Sequence, residues 1–592
     1  MATGLSDTSP NNESRCLTCY THYEIEIKGY EMNSMHKILF LITLVLALTS
    51  TSVSSLTFID NVKGYTLNQQ GKLITFTNIA FEDEFIIGMD LTQEPGGIVT
   101  KIDGEGHVML PGLIDAHGHI LGLGRNLLEI DLRGSQTEDD SVKSVLAFVS
   151  ANSLSTKTSK KEGTQWLIGG GWNQVLWPTK AFPNKASLDA AIKDRPVVLS
   201  RIDGHAVWVN SAALKLAGID ANTPSPAGGE IVKDKDGQPT GVLIDNAEYL
   251  VTKLIPKADV EQLSAQLNAA SDHLLSLGIT SVHDAGISKQ VYDFYQQQAQ
   301  TGQLRFRIYA MISATDPQIN DMLTKGHIKT ADDMLSIRSV KAYGDGALGS
   351  RGAALIEPYS DDKDNHGLLV TPQESLPSLF SQVLAANFQL NFHAIGDRAN
   401  RLALQQFAKT FKIYPENTDR HRIEHAQVVA IEDIPLFKEL GIIPSMQPTH
   451  ATSDMNMAED RIGSARLKGA YAWKTFLEQG SRIAFGSDFP VELANAFHGL
   501  HAAVTRQTPE NEPKMGWIPE EKVSIEDALR GFTLDAAYAA FQDDKLGTLE
   551  IGKRADFIFI DRDIFKRPAS DIRDTQVLET WINGQQVFSK TL

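Results

Sequence analysis

Between residues 113 and 488 the chain alternates short apolar segments of strand length with amphipathic, helix-like spacers. Strand after strand closes on a side chain able to bind metal or carry a proton. In order the segments are Leu113 to His119, Thr280 to Asp284, Arg307 to Met311, Ser339 to Tyr343, Gln389 to His393, Arg422 to His425, Ile443 to Gln447 and Ile483 to Asp488. Such alternation is the pattern of a parallel sheet or (β/α) barrel, and barrels of this kind carry their chemistry at C-terminal strand ends. An α/β barrel over residues 106–544 is the expected core.

The texture changes on either side. From about 56 to 105, and again from 545 to 592, short alternating strands and turn residues dominate, as in Leu73-Ile74-Thr75-Phe76-Thr77 and Ala555-Asp556-Phe557-Ile558-Phe559-Ile560. They predict one small β domain assembled from both chain ends. The interval between His119 and Thr280 is far longer than a βα connection, so an inserted cap is expected at about 125–275. Its loops Gly169-Gly170-Gly171-Trp172 and Asp203-Gly204-His205 make Trp172 and His205 candidates for substrate contact, the alternative being loops that only punctuate a scaffold.

The apolar run Ile38 to Leu48 fits the ~7–15 residues of a signal-peptide core and falls short of the ~18 of a membrane span. Lys37 precedes it and Ser52-Val53-Ser54 follows, so residues 35–55 read as a signal peptide. The stretch before Met35 carries Asp7, Glu13, Glu24, Glu26 and Glu31, wrong for a leader, and 1–34 read as upstream sequence outside the true start. The expected location is exported, periplasmic or secreted. Both cysteines, Cys16 and Cys19, lie upstream, so neither a disulfide framework nor a cysteine zinc site organises the body. A net charge of −18 argues against nucleic acid as the partner. A small-molecule substrate is expected, with no stable membrane anchor after leader cleavage and with homo-oligomerisation left open.

His117 and His119 stand two residues apart at a strand end, where both imidazoles can face one ion. Neutral imidazole suits zinc and its neighbours. His393 and His425 close two later strands, and Asp488 closes the last. Singly, each reads equally well as a satisfied polar group; as an ordered set they predict a centre for one or two divalent ions, zinc first. Lys341 ends the strand in the middle of the set. It is either a salt-bridging lysine at the barrel mouth or an amine that has taken up CO2 as a carbamate bridging two ions. Spacing does not choose.

Pro111-Gly112-Leu113-Ile114-Asp115-Ala116-His117-Gly118-His119, Lys341-Ala342-Tyr343-Gly344-Asp345-Gly346, His393-Ala394-Ile395-Gly396-Asp397, Glu424-His425-Ala426-Gln427 and Gly486-Ser487-Asp488-Phe489-Pro490 together resemble the amidohydrolase superfamily, and within it the YtcJ-like branch that includes N-substituted formamide deformylase. The resemblance implies a (β/α)8 barrel beside a composite β-sandwich. It implies that His117 and His119 bind a buried ion, His393 and His425 a more exposed one, and that Lys341 stands where many members are carboxylated. Asp488 would contact metal and act as general base, with water activated at the metal attacking a carbonyl. His450 or His283 would contact the substrate or its oxyanion.

Three rivals compete with amide hydrolysis. His421-Arg422-Ile423-Glu424-His425 spells a metalloprotease string, but it follows a turn-like stretch and reads as a strand, which separates the two histidines too far for one ion. A deaminase of the same superfamily commonly carries a Glu soon after a histidine, whereas His393 is followed by Ala394-Ile395-Gly396-Asp397. A silent regulator with the same fold has no need of an intact base.

Overall fold

The computed structural model describes residues 56–590 apart from 98, 154–165, 203 and 227. The leader at 35–55, the segment 1–34 and both cysteines lie outside the described residues.

Eight parallel strands follow one another in chain order: β1 (Leu113–Gly118), β2 (Ile279–Ile287), β3 (Arg307–Ser313), β4 (Leu335–Tyr343), β5 (Gln389–Ala394), β6 (Arg422–His425), β7 (Ile443–Met446) and β8 (Ala484–Phe485). Leu113 stands opposite Ile279 on the first edge and Met446 opposite Phe485 on the last. The chain just past β8 then closes back on β1. Asp488 donates its backbone N–H to the His117 carbonyl at 2.7 Å, and His119 donates to the Phe489 carbonyl at 2.8 Å. Gly486 makes that seam: a Cβ there would lie 2.5 Å from the His117 nitrogen and 2.7 Å from Asp115 Oδ1, so only glycine fits. The fold is a (β/α)8 barrel, as the alternation predicts.

β1 leads into α1 (Ile120–Leu128), and α2 (Val260–Ser276) leads into β2. A capping box between Asp259 and Gln262 starts α2. The two helices touch at Gly124, where a Cβ would lie 1.9 Å from the Gln266 carbonyl oxygen. Both are therefore barrel helices. The inserted sheet they bracket runs from Ile130 to Asp245, narrower than the interval 125–275 read from the sequence. It has six strands, the first three parallel, and its own cores around Trp172, Trp177 and Trp208 and around Val198, Val207 and Leu243.

The two ends of the described residues form two sheets around Ile59, Phe81, Met109, Phe557 and Trp581. The strand Phe557–Ile560, the first after the barrel, lies antiparallel to Val108–Pro111, with Ile558 opposite Leu110. Val108–Pro111, assigned to the barrel from sequence, thus pairs in the sandwich. No helix among the described residues is long and apolar enough to cross a membrane.

Candidate metal centre

His117 lies within β1, and His119 caps α1; their rings meet edge to face with centroids 5.7 Å apart. Asp488 puts Oδ1 3.1 Å from His119 Nε2 and 3.6 Å from His117 Nε2. Its Oδ2 is 3.7 Å from Nε2 of His450, which belongs to α3 (Pro448–Asp454) after β7. The ring of His425 stands 4.8 Å from that of His117, 4.5 Å from His393 and 6.0 Å from His450. Two donor triads result, His117–His119–Asp488 and His425–His450–Asp488, and they share the carboxylate. His425 and Asp488 both have left-handed backbones, φ 75° and 62°. That is uncommon outside glycine, and here it occurs at the two strand ends whose side chains meet over the barrel.

The hydrogen bonds behind the rings decide which nitrogen each presents. Glu424 Oε2 takes His117 Nδ1 at 2.5 Å, and Gln447 Oε1 takes His425 Nδ1 at 2.8 Å. Each ring therefore carries its proton on Nδ1 and turns a lone pair outward on Nε2. Burial, then the neighbouring Lys341 charge, pushes His117 down to about 4 and His393 to about 3. Burial and the surrounding imidazoles hold His425 well below its usual value. These rings are neutral at pH 7. Burial alone would raise Asp488, but the His119 hydrogen bond and the flanking imidazoles outweigh it and hold the carboxylate ionised. Nε2 of His393 and of His450 are buried without hydrogen-bond partners. The neutral rings of His117 and His425, each turning an Nε2 lone pair toward the shared carboxylate, are the donors a divalent ion takes, so these residues fit one.

Lys341 reaches the same place: its Nζ is 3.1 Å from His117 Nε2, and burial lowers its pKa. The structure does not bring three other candidates into the cluster. His283 is fully buried and belongs to neither triad, with Nδ1 accepting from Arg422 at 2.9 Å. Trp172 is fully buried in the cap and donates to the Leu199 carbonyl at 2.7 Å, so it is a core residue and offers no face to a substrate. His205 is exposed on the cap, 2.9 Å from Asp245.

Other residues emerge that the sequence reading passed over. Arg422 grips Glu424 through two contacts, 2.7 Å to Oε1 and 3.1 Å to Oε2, both side chains wholly buried. The signal was present, since positions 422 and 424 share one face of a strand. Asp115 pins β1 to the β8 end by accepting the Ser487 hydroxyl at 2.6 Å.

Residues 100–588 match the Amidohydrolase family. Protein LONG AFTER FAR-RED 3 of Arabidopsis thaliana is 33% identical, with 91% of this chain and 90% of that one covered. YtcJ of Bacillus subtilis is 32% identical over 83% of this chain and 91% of its own. The N-substituted formamide deformylase of Arthrobacter pascens is 25% identical over 83% and 90%. Among solved structures, an uncharacterized metal-dependent hydrolase from Pyrococcus furiosus superposes with a TM-score of 0.70 at 28% identity, covering 86% of this chain and 100% of that one. With its barrel, its imidazoles and the carboxylate they share, the chain belongs to the amidohydrolase family of metal-dependent hydrolases.

Proposed function

We propose that the protein is an exported, zinc-dependent amidohydrolase that cleaves a carbon–nitrogen bond other than a peptide bond in a small molecule, of the amide or N-substituted formamide type. What supports this most is Asp488, shared between two donor triads, one oxygen facing His119 and His117 and the other His450. The similarity to an N-substituted formamide deformylase points the same way. His117, His119 and Asp488, with Lys341 beside them, would hold one ion. His425 and Asp488, with His450 and His393 near them, would hold a second. Ions bound there lower the pKa of water toward neutrality and polarise a carbonyl.

The chain's own residues do the rest. Glu424 and Gln447 fix the rings of His117 and His425. Asp488, the carboxylate of both triads, accepts the proton of the attacking water and returns it to the departing nitrogen. His450 presents an unpartnered Nε2 beside Asp488 and orients the substrate.

Protein purified without chelator should carry about one or two equivalents of zinc and release amine from members of an N-formyl, N-acyl and cyclic-amide panel. Replacing His117 and His119 together by Ala should remove the inner equivalent. Unchanged metal content in that folded variant would end the assignment. Ammonia release from amino-heterocycles alone would favour a deaminase, and bound metal with no turnover on either panel a regulator.

Export rests on the leader read at 35–55. The native mature chain should begin at Ser55 or Leu56 and be recovered outside the cytoplasm. N-terminal sequencing that finds an intact upstream leader removes this part of the proposal.

A further inference from the structure

Asp345 is a buried carboxylate that no step above uses. It lies two residues past β4, and its side chain is wholly buried. Oδ2 accepts the N–H groups of Ala354 and Gly396, both at 2.8 Å, and Oδ1 accepts that of Ile395 at 2.9 Å. One side chain thus joins two segments at the barrel mouth: the long loop 344–370 after β4, and the turn leading from β5 into the helix Asp397–Thr410. The two backbones are in close contact there, since a Cβ on Gly396 would lie 2.0 Å from the Ala354 carbonyl oxygen. Oδ1 also lies 3.5 Å from His393 Nε2, which is buried and has no hydrogen-bond partner.

We propose that Asp345 is a positioning residue for His393: it takes the proton on Nε2, leaves the Nδ1 lone pair for the second ion, and so couples that ion to the order of loop 344–370. An imidazole that ligates through one nitrogen carries its proton on the other, where a carboxylate or carbonyl fixes it. Glu424 and Gln447 do this at Nδ1 of His117 and His425. His393 faces its carboxylate with Nε2, the opposite nitrogen, so on this proposal its Nδ1 is the one left for the ion. An ion that locks the His393 ring locks a fourth donor onto Asp345, and with it the carboxylate that holds Ala354, Ile395 and Gly396. By linkage, loosening those amides weakens the ion by the same factor. A carboxylate serving only to staple two loops would be indifferent to metal.

This inference rests on the two-ion reading above, and the test separates the two. Full-length wild type, Asp345→Asn and His393→Ala are compared by zinc titration and by amide hydrogen exchange, with zinc as the only ligand. In wild type the second zinc equivalent should slow exchange at Ala354, Ile395 and Gly396, and His393→Ala should abolish that slowing. Asp345→Asn should weaken the second equivalent by roughly 10–100-fold and leave the first unchanged. Amides that exchange equally with and without the second equivalent overturn the proposal while leaving two-ion binding intact. So does an Asp345→Asn protein with wild-type affinity for both. If Asp345→Asn fails to fold, the wild-type and His393→Ala comparison decides alone. A wild type that takes up one equivalent at most overturns the two-ion reading and the coupling together.

Discussion

Asp488→Asn should lower kcat by roughly 10²–10⁴-fold at saturating zinc, the usual contribution of a positioned general base. Asparagine keeps the size of the side chain and loses the capacity to take a proton at neutral pH. Its effect on folding should be small for two reasons. The barrel seam at this position runs through the backbone, where the residue 488 N–H donates to the His117 carbonyl at 2.7 Å, and that bond survives the substitution. The backbone there also has φ 62°, a region that Asn tolerates better than most residues. Alanine would confuse the result by adding strain and a small cavity. If Asp488 served only to cap the barrel end, the thermal midpoint would fall and kcat would stay within a few-fold of wild type. Because losing the charge also weakens metal, both quantities are to be read on one sample whose zinc content has been measured. An intact kcat in such a sample removes Asp488 as the base.

The barrel was legible because each strand is short, apolar and ends on a distinctive residue, and the eight segments read from sequence are the eight strands of the barrel. His117, His119, His425 and Asp488 were legible for the same reason. What failed to show was any feature set by contacts between distant segments. Trp172 follows three glycines and looks like a mobile aromatic, yet it packs against Trp177 in the cap core. The flanks of the cap interval resemble cap helices until Gly124 is seen against Gln266. His283 lies on the right strand, but its Nδ1 is taken by Arg422, a contact from a distant strand that periodicity does not record. His450 follows a strand that offers no histidine within it, so its place beside Asp488 depends on how α3 turns after β7. Arg422 and Glu424 stand in a protease-like string, and Glu424 also in the Glu424–Gln427 motif, but neither pattern assigns a partner to either side chain.

Glu424 is where structural and chemical roles separate most clearly. It touches His117 Nδ1 at 2.5 Å on one side and the Arg422 guanidinium on the other, all of it out of contact with water. Burial alone would raise its pKa, but Arg422 and His117 together hold it well below the ordinary 4.5. Its stabilising contribution is therefore complete above that value and declines only as pH falls below it, so measurements at pH 7–8 read the whole effect. Glu424→Gln should cost ~3–5 kcal/mol of stability, because Arg422 is left buried without a counter-charge. It should also weaken the inner zinc by roughly 10–100-fold, because the amide no longer fixes the His117 proton on Nδ1 as a carboxylate does. A second substitution parts the two effects. Adding Arg422→Met removes the stranded charge and should restore part of the stability, since Ala116, His283 and Ser445 lose their donor, but it returns nothing to His117. Zinc affinity should stay low in the double variant while its thermal midpoint partly recovers. Recovery of both together would mean that Glu424 acts on the metal only through the integrity of the barrel floor, and that the His117 hydrogen bond adds nothing of its own.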